Sequence, residues 1–178
     1  MTTPDGRRAR GEETRGELLD AVRRLVARDG VDAVTHRTVA AEAGVAKTSV
    51  AYHFATLDGL LAAALAQQTD ELVAAVPAVG ADLHWLAGRL VDAFAADPEA
   101  VRAGYTLYLA AGHRPALRES AQRWVRLLTD LAAAHTPDPD RARAAVAVVD
   151  GWAVQSLVTG TTPDRGVLGR SLTVLLGE

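Results

Sequence analysis

The sequence predicts an all-α protein: an N-terminal three-helix domain containing a helix-turn-helix, then a C-terminal helical domain, about nine helices in all. Three observations predict it. The 178 residues are 49% hydrophobic but only 4% aromatic, and alanine and leucine, both strong helix formers, are abundant. Apolar residues recur at helical spacing over long stretches, without strand-like alternation or a hairpin signal. The stretch Thr35 to Phe54, THRTVAAEAGVAKTSVAYHF, reads as two short helices joined at Ala43, Gly44 and Val45.

In that stretch Thr35 is a good N-cap, because its hydroxyl can accept a hydrogen bond from an orphan backbone N–H. Val39, Ala40 and Ala43 fall on one face. Gly44 supplies the left-handed conformation that ends a helix and turns the chain. Lys47, Thr48 and Ser49 open the second helix, and Val50 and Phe54, four apart, form its buried stripe. A helix of this length can lie in a DNA major groove.

The flanking elements follow in order. Residues 1–13 form a basic arm with Arg7, Arg8 and Arg10, and its first eleven residues, broken by Pro4, Gly6 and Gly11, are expected to be disordered. A first helix spans about 14–29, with Leu18, Leu19, Val22, Leu25 and Val26 as its apolar stripe and Arg23, Arg24 and Arg28 on its wet face. Residues 14–55 are the helix-turn-helix domain, held by Leu18, Val22, Leu25, Val39, Val50 and Phe54. So small a bundle would be marginal alone. A linker helix, 56–76, starts at a Thr56 cap and ends at Pro77–Gly80, the clearest boundary in the sequence. The domain 77–178 contains helices over about 81–96, 98–112, 115–134, 140–159 and 164–176. Asp138, Asp140 and Asp164 sit at helix starts, where an acid favours the positive end of the dipole.

The last two of these helices carry apolar surface wider than one stripe. It includes Val154, Leu157, Val158, Leu168, Leu172 and Leu175, and the cheapest partner for such surface is a second copy of the chain, a homodimer.

Composition narrows the remaining classes. There is no cysteine, hence no disulfide and no thiolate metal site. No apolar signal-peptide core and no uncharged run long enough to span a membrane is present, so a soluble, cytoplasmic protein is expected. The net charge of −3 does not advertise nucleic-acid binding. Of the 19 basic residues only one is lysine, and that residue, Lys47, opens the second helix of the motif. The five histidines are scattered, and HExxH, GxSxG and Gly-rich phosphate loops are absent. No catalytic site, cofactor or metal is expected.

The N-terminal third resembles the DNA-binding domain of the tetracycline-repressor (TetR) family of bacterial regulators. The likeness rests on TRGELLDAV, RDGVDAVTHRTVAAEAGVAKTSVAYHF and LDGLLAAAL, with Gly30, Thr35, Ala40, Ala43-Gly44-Val45 and Tyr52-His53-Phe54 at the family's spacing. It implies a homodimeric transcriptional regulator, more often a repressor, that binds a palindromic double-stranded operator. It implies a C-terminal domain that binds a small-molecule effector and dimerises through its last two long helices. Carried over by position, Thr35, Arg37 and Thr38 reach phosphates or base edges, and Lys47, Thr48, Ser49, Tyr52 and His53 face the groove. Arg37 is the best candidate for a bidentate guanine contact, since its fork matches O6 and N7. Two departures stand out: Ala51 replaces a common tyrosine and Leu57 a phosphate-binding lysine. His36 or the basic arm is a candidate replacement.

A ligand pocket is expected among Trp85, Phe94, Tyr105, Tyr108, Leu109, Trp124, Leu128, Trp152 and Gln155, because ligand sites between helices are mostly apolar with a few polar groups. His84, Thr106 and His113 are further polar candidates. An ordinary packed core is the competing reading of these aromatics. The alternative to a regulator is a helical small-molecule-binding or interaction module that has lost specific DNA binding.

Overall fold

The structure, a computed structural model, describes residues 4–76 and 83–177. Nine α-helices occur among the described residues: α1 Pro4–Asp29, α2 His36–Ala43, α3 Lys47–His53, α4 Leu57–Ala75, α5 Leu83–Ala96, α6 Pro98–Ala110, α7 Arg118–Ala133, α8 Pro139–Thr159 and α9 Arg165–Leu176. Short 3-10 turns at Val31–Ala33 and Pro115–Leu117 precede α2 and α7. No described helix is both long and apolar enough to cross a membrane by itself. The expected boundary at 77–80 lies outside the described residues, as do the side chains of Arg7, Arg8 and His84.

Most helix ends sit where the local chemistry puts them. Thr56 accepts from Gly59 N–H at 3.0 Å, Asp138 accepts from the N–H groups of Asp140 and Arg141, and Asp164 accepts from Val167 N–H at 2.7 Å. One end differs. The helix expected from Thr14 begins at Pro4, so the basic arm from Pro4 onward is helical rather than disordered. Proline is tolerated in a first turn because its missing N–H has no intrahelical partner there. An interior glycine such as Gly11 costs about 1 kcal/mol relative to alanine, which lowers the stability of the 26-residue helix without ending it.

The chain forms two compact units. One comprises Met1–Gln68 and Arg102–Ala121, the other Thr69–Val101 and Gln122–Glu178. The first is larger than the three-helix bundle suggested by the sequence. Leu18, Val22, Val39, Val50 and Phe54 are buried as expected, but the same core takes in Leu60, Leu61 and Leu65 of α4, Ala103 and Leu107 of α6, and Ala111 just past its end. Those α6 residues are spaced by four, so they form one face. Leu117 and Ala121 close the same core. Arg114, after α6, donates to Asp58 at 2.9 Å and lies 3.4 Å from Asp32. The added helices remedy the small size of the bundle.

The second unit centres on Ala87, Leu128, Ala132, Ala145, Val149, Leu168, Leu172 and Leu176. Helix α9 packs on both α5 and α8. Arg165 of α9 pairs with Asp92 of α5. Two residues expected at a dimer interface, Leu168 and Leu172, are fully buried here, inside one protomer. With Leu176 they form the i, i+4, i+8 stripe that α9 turns inward, so they are unavailable to a second copy. The opposite side of α9 leaves Val174 at 81% exposure, and α8 leaves Val158 equally open. Val154, Leu157 and Leu175 are half-buried.

These positions separate folding from assembly. Leu172→Glu places an unpaired charge in the core and should lower stability by more than about 4 kcal/mol, seen as loss of a cooperative thermal transition. Val174→Glu should leave the protomer's helical signal in circular dichroism unchanged.

Candidate nucleic-acid interface

The helix-turn-helix is built by three local devices. At the start of α2, Thr35 Oγ1 accepts from Thr38 N–H at 3.1 Å while Thr38 Oγ1 accepts from Thr35 N–H at 2.8 Å. This reciprocal cap satisfies two donors that a helix start otherwise leaves orphaned. Thr38 Oγ1 also donates to the Ala33 carbonyl at 2.8 Å. At the other end Gly44 adopts φ 68°, ψ 26°, and its N–H returns to the Ala40 and Ala41 carbonyls. A residue with a Cβ is strained in that conformation.

Helix α3 lacks such help. It is seven residues long, Ala46 gives it no side-chain cap, and Lys47 places a cation in its first turn. A cation there opposes the helix dipole, so α3 depends on tertiary packing. That packing comes from Val50, fully buried, and Phe54, 6% exposed. With these two inside, Lys47, Thr48, Ala51 and Tyr52 lie outside and exposed. Tyr52 is 86% exposed and meets the half-buried His53 ring edge-on at 5.2 Å.

Long-range contacts fix α2 and α3 against their surroundings. His36 Nε2 donates to the Phe54 carbonyl at 3.0 Å, joining the start of α2 to the end of α3. The Arg15 guanidinium lies 4.7 Å from the centre of the Phe54 ring, a cation–π contact from α1. Glu42 on α2 accepts from Arg24 at 2.8 Å and from Arg28 at 3.3 Å, both on α1. The hydrogen bond from Arg24 first, then those from Arg28, hold the Glu42 carboxyl below its usual range, against the opposing effect of partial burial. The bonds to Asp29 and Glu42 raise the Arg28 guanidinium.

The sequence-predicted contact residues therefore divide. Arg37, Lys47, Thr48 and Tyr52 are exposed, and Ser49 and His53 are half-buried. Arg37 and Lys47 form no ion pair with any described residue, whereas Arg24 and Arg28 are engaged by Glu42. Thr35, His36 and Thr38 hold the motif together. His36, suggested as a replacement for the contacts missing at Ala51 and Leu57, is half-buried and braces the end of α3. Its partner is 18 residues away, so no local pattern signals it. Of the two departures, Ala51 is exposed on the outer face of α3 and Leu57 is half-buried at the first position of α4.

The expected pocket residues fall in both units. Tyr105 is buried and meets half-buried Tyr108 edge-on at 6.3 Å, on α6 within the first unit. In the second unit, Trp85, Trp124 and Trp152 pack around the core that contains Leu128, and Phe94 is buried. Leu109 is 58% exposed and Gln155 is exposed, so both leave the expected set. Each lies two residues beyond an inward residue, Leu107 and Ala153, and so turns to the other side of its helix. No group of acids and histidines that could hold a metal occurs among the described residues.

A short exposed helix, fixed by two buried residues behind a left-handed glycine turn, has the layout of a DNA-binding helix-turn-helix. The chain belongs to the tetR family of bacterial regulatory proteins. Residues 18–64 match that family's model, and residues 80–178 match the tetracyclin repressor-like C-terminal domain.

Among solved structures, the multidrug binding protein EbrR complexed with ethidium is 45% identical over 91% of this chain and 98% of that one, with a TM-score of 0.77. EbrR is also known complexed with proflavin and with malachite green. A TetR family member from Streptomyces coelicolor A3 is 43% identical over 92% and 98% of the two chains, with a TM-score of 0.81. The HTH-type nicotine-responsive transcriptional repressor HdnoR of Paenarthrobacter nicotinovorans is 35% identical over 85 residues, 46% of this chain and 44% of that protein. The chain thus aligns with less than half of that relative's length.

Two outcomes test the framework of the motif. His36→Ala leaves the Phe54 carbonyl without its partner and should cost about 1–2 kcal/mol, read as a lower thermal midpoint with unchanged helix content. The carboxyl of Glu42 is held low in the folded state, so its contribution is present above the usual glutamate range. It is lost as pH falls through the folded value. The midpoint difference between wild type and Glu42→Gln should therefore be small, since the pairs face solvent, and should vanish in acid.

Proposed function

We propose that this protein is a cytoplasmic repressor that binds a palindromic operator as a homodimer and is released from it by a small aromatic cation. The observation that carries the effector class is the 45% identity, over nine-tenths of both chains, with a protein crystallised with ethidium. EbrR is also crystallised with proflavin and malachite green, flat or propeller-shaped delocalised cations, and with the smaller imidazole. The acidic balance of residues 61–178, 13 acidic against 10 basic, favours such a ligand.

In this reading Arg37 contacts a guanine edge, and Lys47, Ser49 and Tyr52 contact the backbone and set register. Thr48 and His53 complete the groove face. The dimer forms through Val154, Leu157, Val158 and Leu175, with Val174 added and with Leu168 and Leu172 removed. Helices α4 and α6 each contribute residues to both compact units. They are the natural carriers of a change in ligand occupancy to the DNA-binding head. The ligand acts only through its difference in affinity for the operator-competent and incompetent states.

The test uses the intergenic DNA beside the protein's own gene. Arg37→Ala should weaken operator binding by about 1–3 kcal/mol and relax one base position. Lys47→Ala should weaken binding across sequences and lower the salt slope by about 1. Malachite green, whose twisted rings intercalate poorly, should release the wild-type complex. Val158→Glu and Val174→Glu should give monomers by light scattering and lose tight operator binding. Absence of any salt-dependent, sequence-specific DNA binding would favour the module that has lost DNA binding, to which Ala51 and Leu57 point.

A further inference from the structure

A buried acceptor without a donor stands out in the first unit. The side-chain oxygen Oε1 of Gln68, on α4, is inaccessible to solvent and has no hydrogen-bond partner. Its carboxamide lies directly against Gly104 of α6, so closely that a methyl group in place of the glycine hydrogen would overlap it. Gly104 is itself buried and in mid-helix, where glycine is otherwise unfavourable relative to alanine. The bare backbone here makes room for the amide.

The setting is apolar. Leu65, one turn before Gln68 on α4, is buried. On α6, Ala103, Tyr105 and Leu107 are buried around Gly104. Tyr108 follows Gly104 by four residues, on the same ridge of the helix, and its ring meets Tyr105 edge-on. An amide oxygen in such surroundings, without a donor, destabilises the fold. A buried acceptor that no protein group satisfies is explained if a ligand satisfies it.

We propose that Gln68 is a specificity residue that accepts a hydrogen bond from an N–H group of the effector. The ligand class is a flat aromatic cation with a primary aryl amine, the amine placed on Gln68 Oε1 and the ring system beside the α6 tyrosines. The oxygen is an acceptor only, so a cation whose amines are fully N-alkylated gains nothing from it. The inference rests on the effector class proposed above and adds which chemical group on the effector is recognised.

The test compares two dyes on purified protein without DNA. Proflavin carries primary aryl amines; malachite green carries only N-methyl groups. Gln68→Leu should weaken proflavin binding about tenfold, as for a hydrogen bond from a charged donor, and leave malachite green unchanged. It should also raise the thermal midpoint of the ligand-free protein, because it removes an unsatisfied oxygen. Gln68→Met serves the same purpose if leucine does not fit, and should show the same selective loss. Equal affinity loss for both dyes, or no loss for either, overturns the assignment of Gln68 while leaving the effector class intact. A lower midpoint in both variants overturns it too, since the amide would then have a structural partner. Failure of the wild type to bind either dye overturns the effector class and this inference together.

Discussion

The exposed face of α3 exists because Val50 and Phe54 are held inside. A seven-residue helix with no side-chain cap and a lysine in its first turn has little stability of its own. Burial of two apolar side chains, four residues apart, against the α1 and α2 core fixes its rotation about its axis. Once that rotation is set, Lys47, Thr48 and Tyr52 point outward by helical geometry alone. Phe54 is tied twice more, by Arg15 over its ring and by His36 on its carbonyl. Both contacts reinforce the same rotation.

The arginines show how charge is allotted in the head. Arg24 and Arg28 converge on Glu42, and Arg114 converges on Asp58 and Asp32. Exposed pairs of this kind contribute little to stability individually. Their geometric effect matters more, since they join α1 to α2 and the end of α6 to the start of α4. Arg37 and Lys47 form no ion pair with a described residue, which leaves their charge available to an anionic partner. A chain of net charge −3 can thus present a basic surface locally.

The contact of Gln68 with Gly104 has the opposite character. Much of the first unit's interior is apolar, whereas this amide oxygen is buried without a donor. It lies between the two helices, α4 and α6, whose residues are divided between both compact units.

The sequence by itself determined the helices and the motif. Thr35, Gly44, Thr56 and Asp164 act within a few residues of themselves, so caps and turns are legible from neighbours alone. The burial of Val39, Val50 and Phe54 follows from their spacing. Tertiary structure decided what depends on partners far along the chain. The hydrogen bond from His36 to the Phe54 carbonyl, 18 residues away, exists only once α2 and α3 are packed. Periodicity marked Leu168 and Leu172 as apolar without saying which apolar partner they meet; α9 turns them onto α5 and α8. The N-terminal helix also outran its local signals, because Pro4 and the glycines read as breakers until the helix is seen to pass through them. Spacing along one helix specifies a face, and only packing specifies what that face touches.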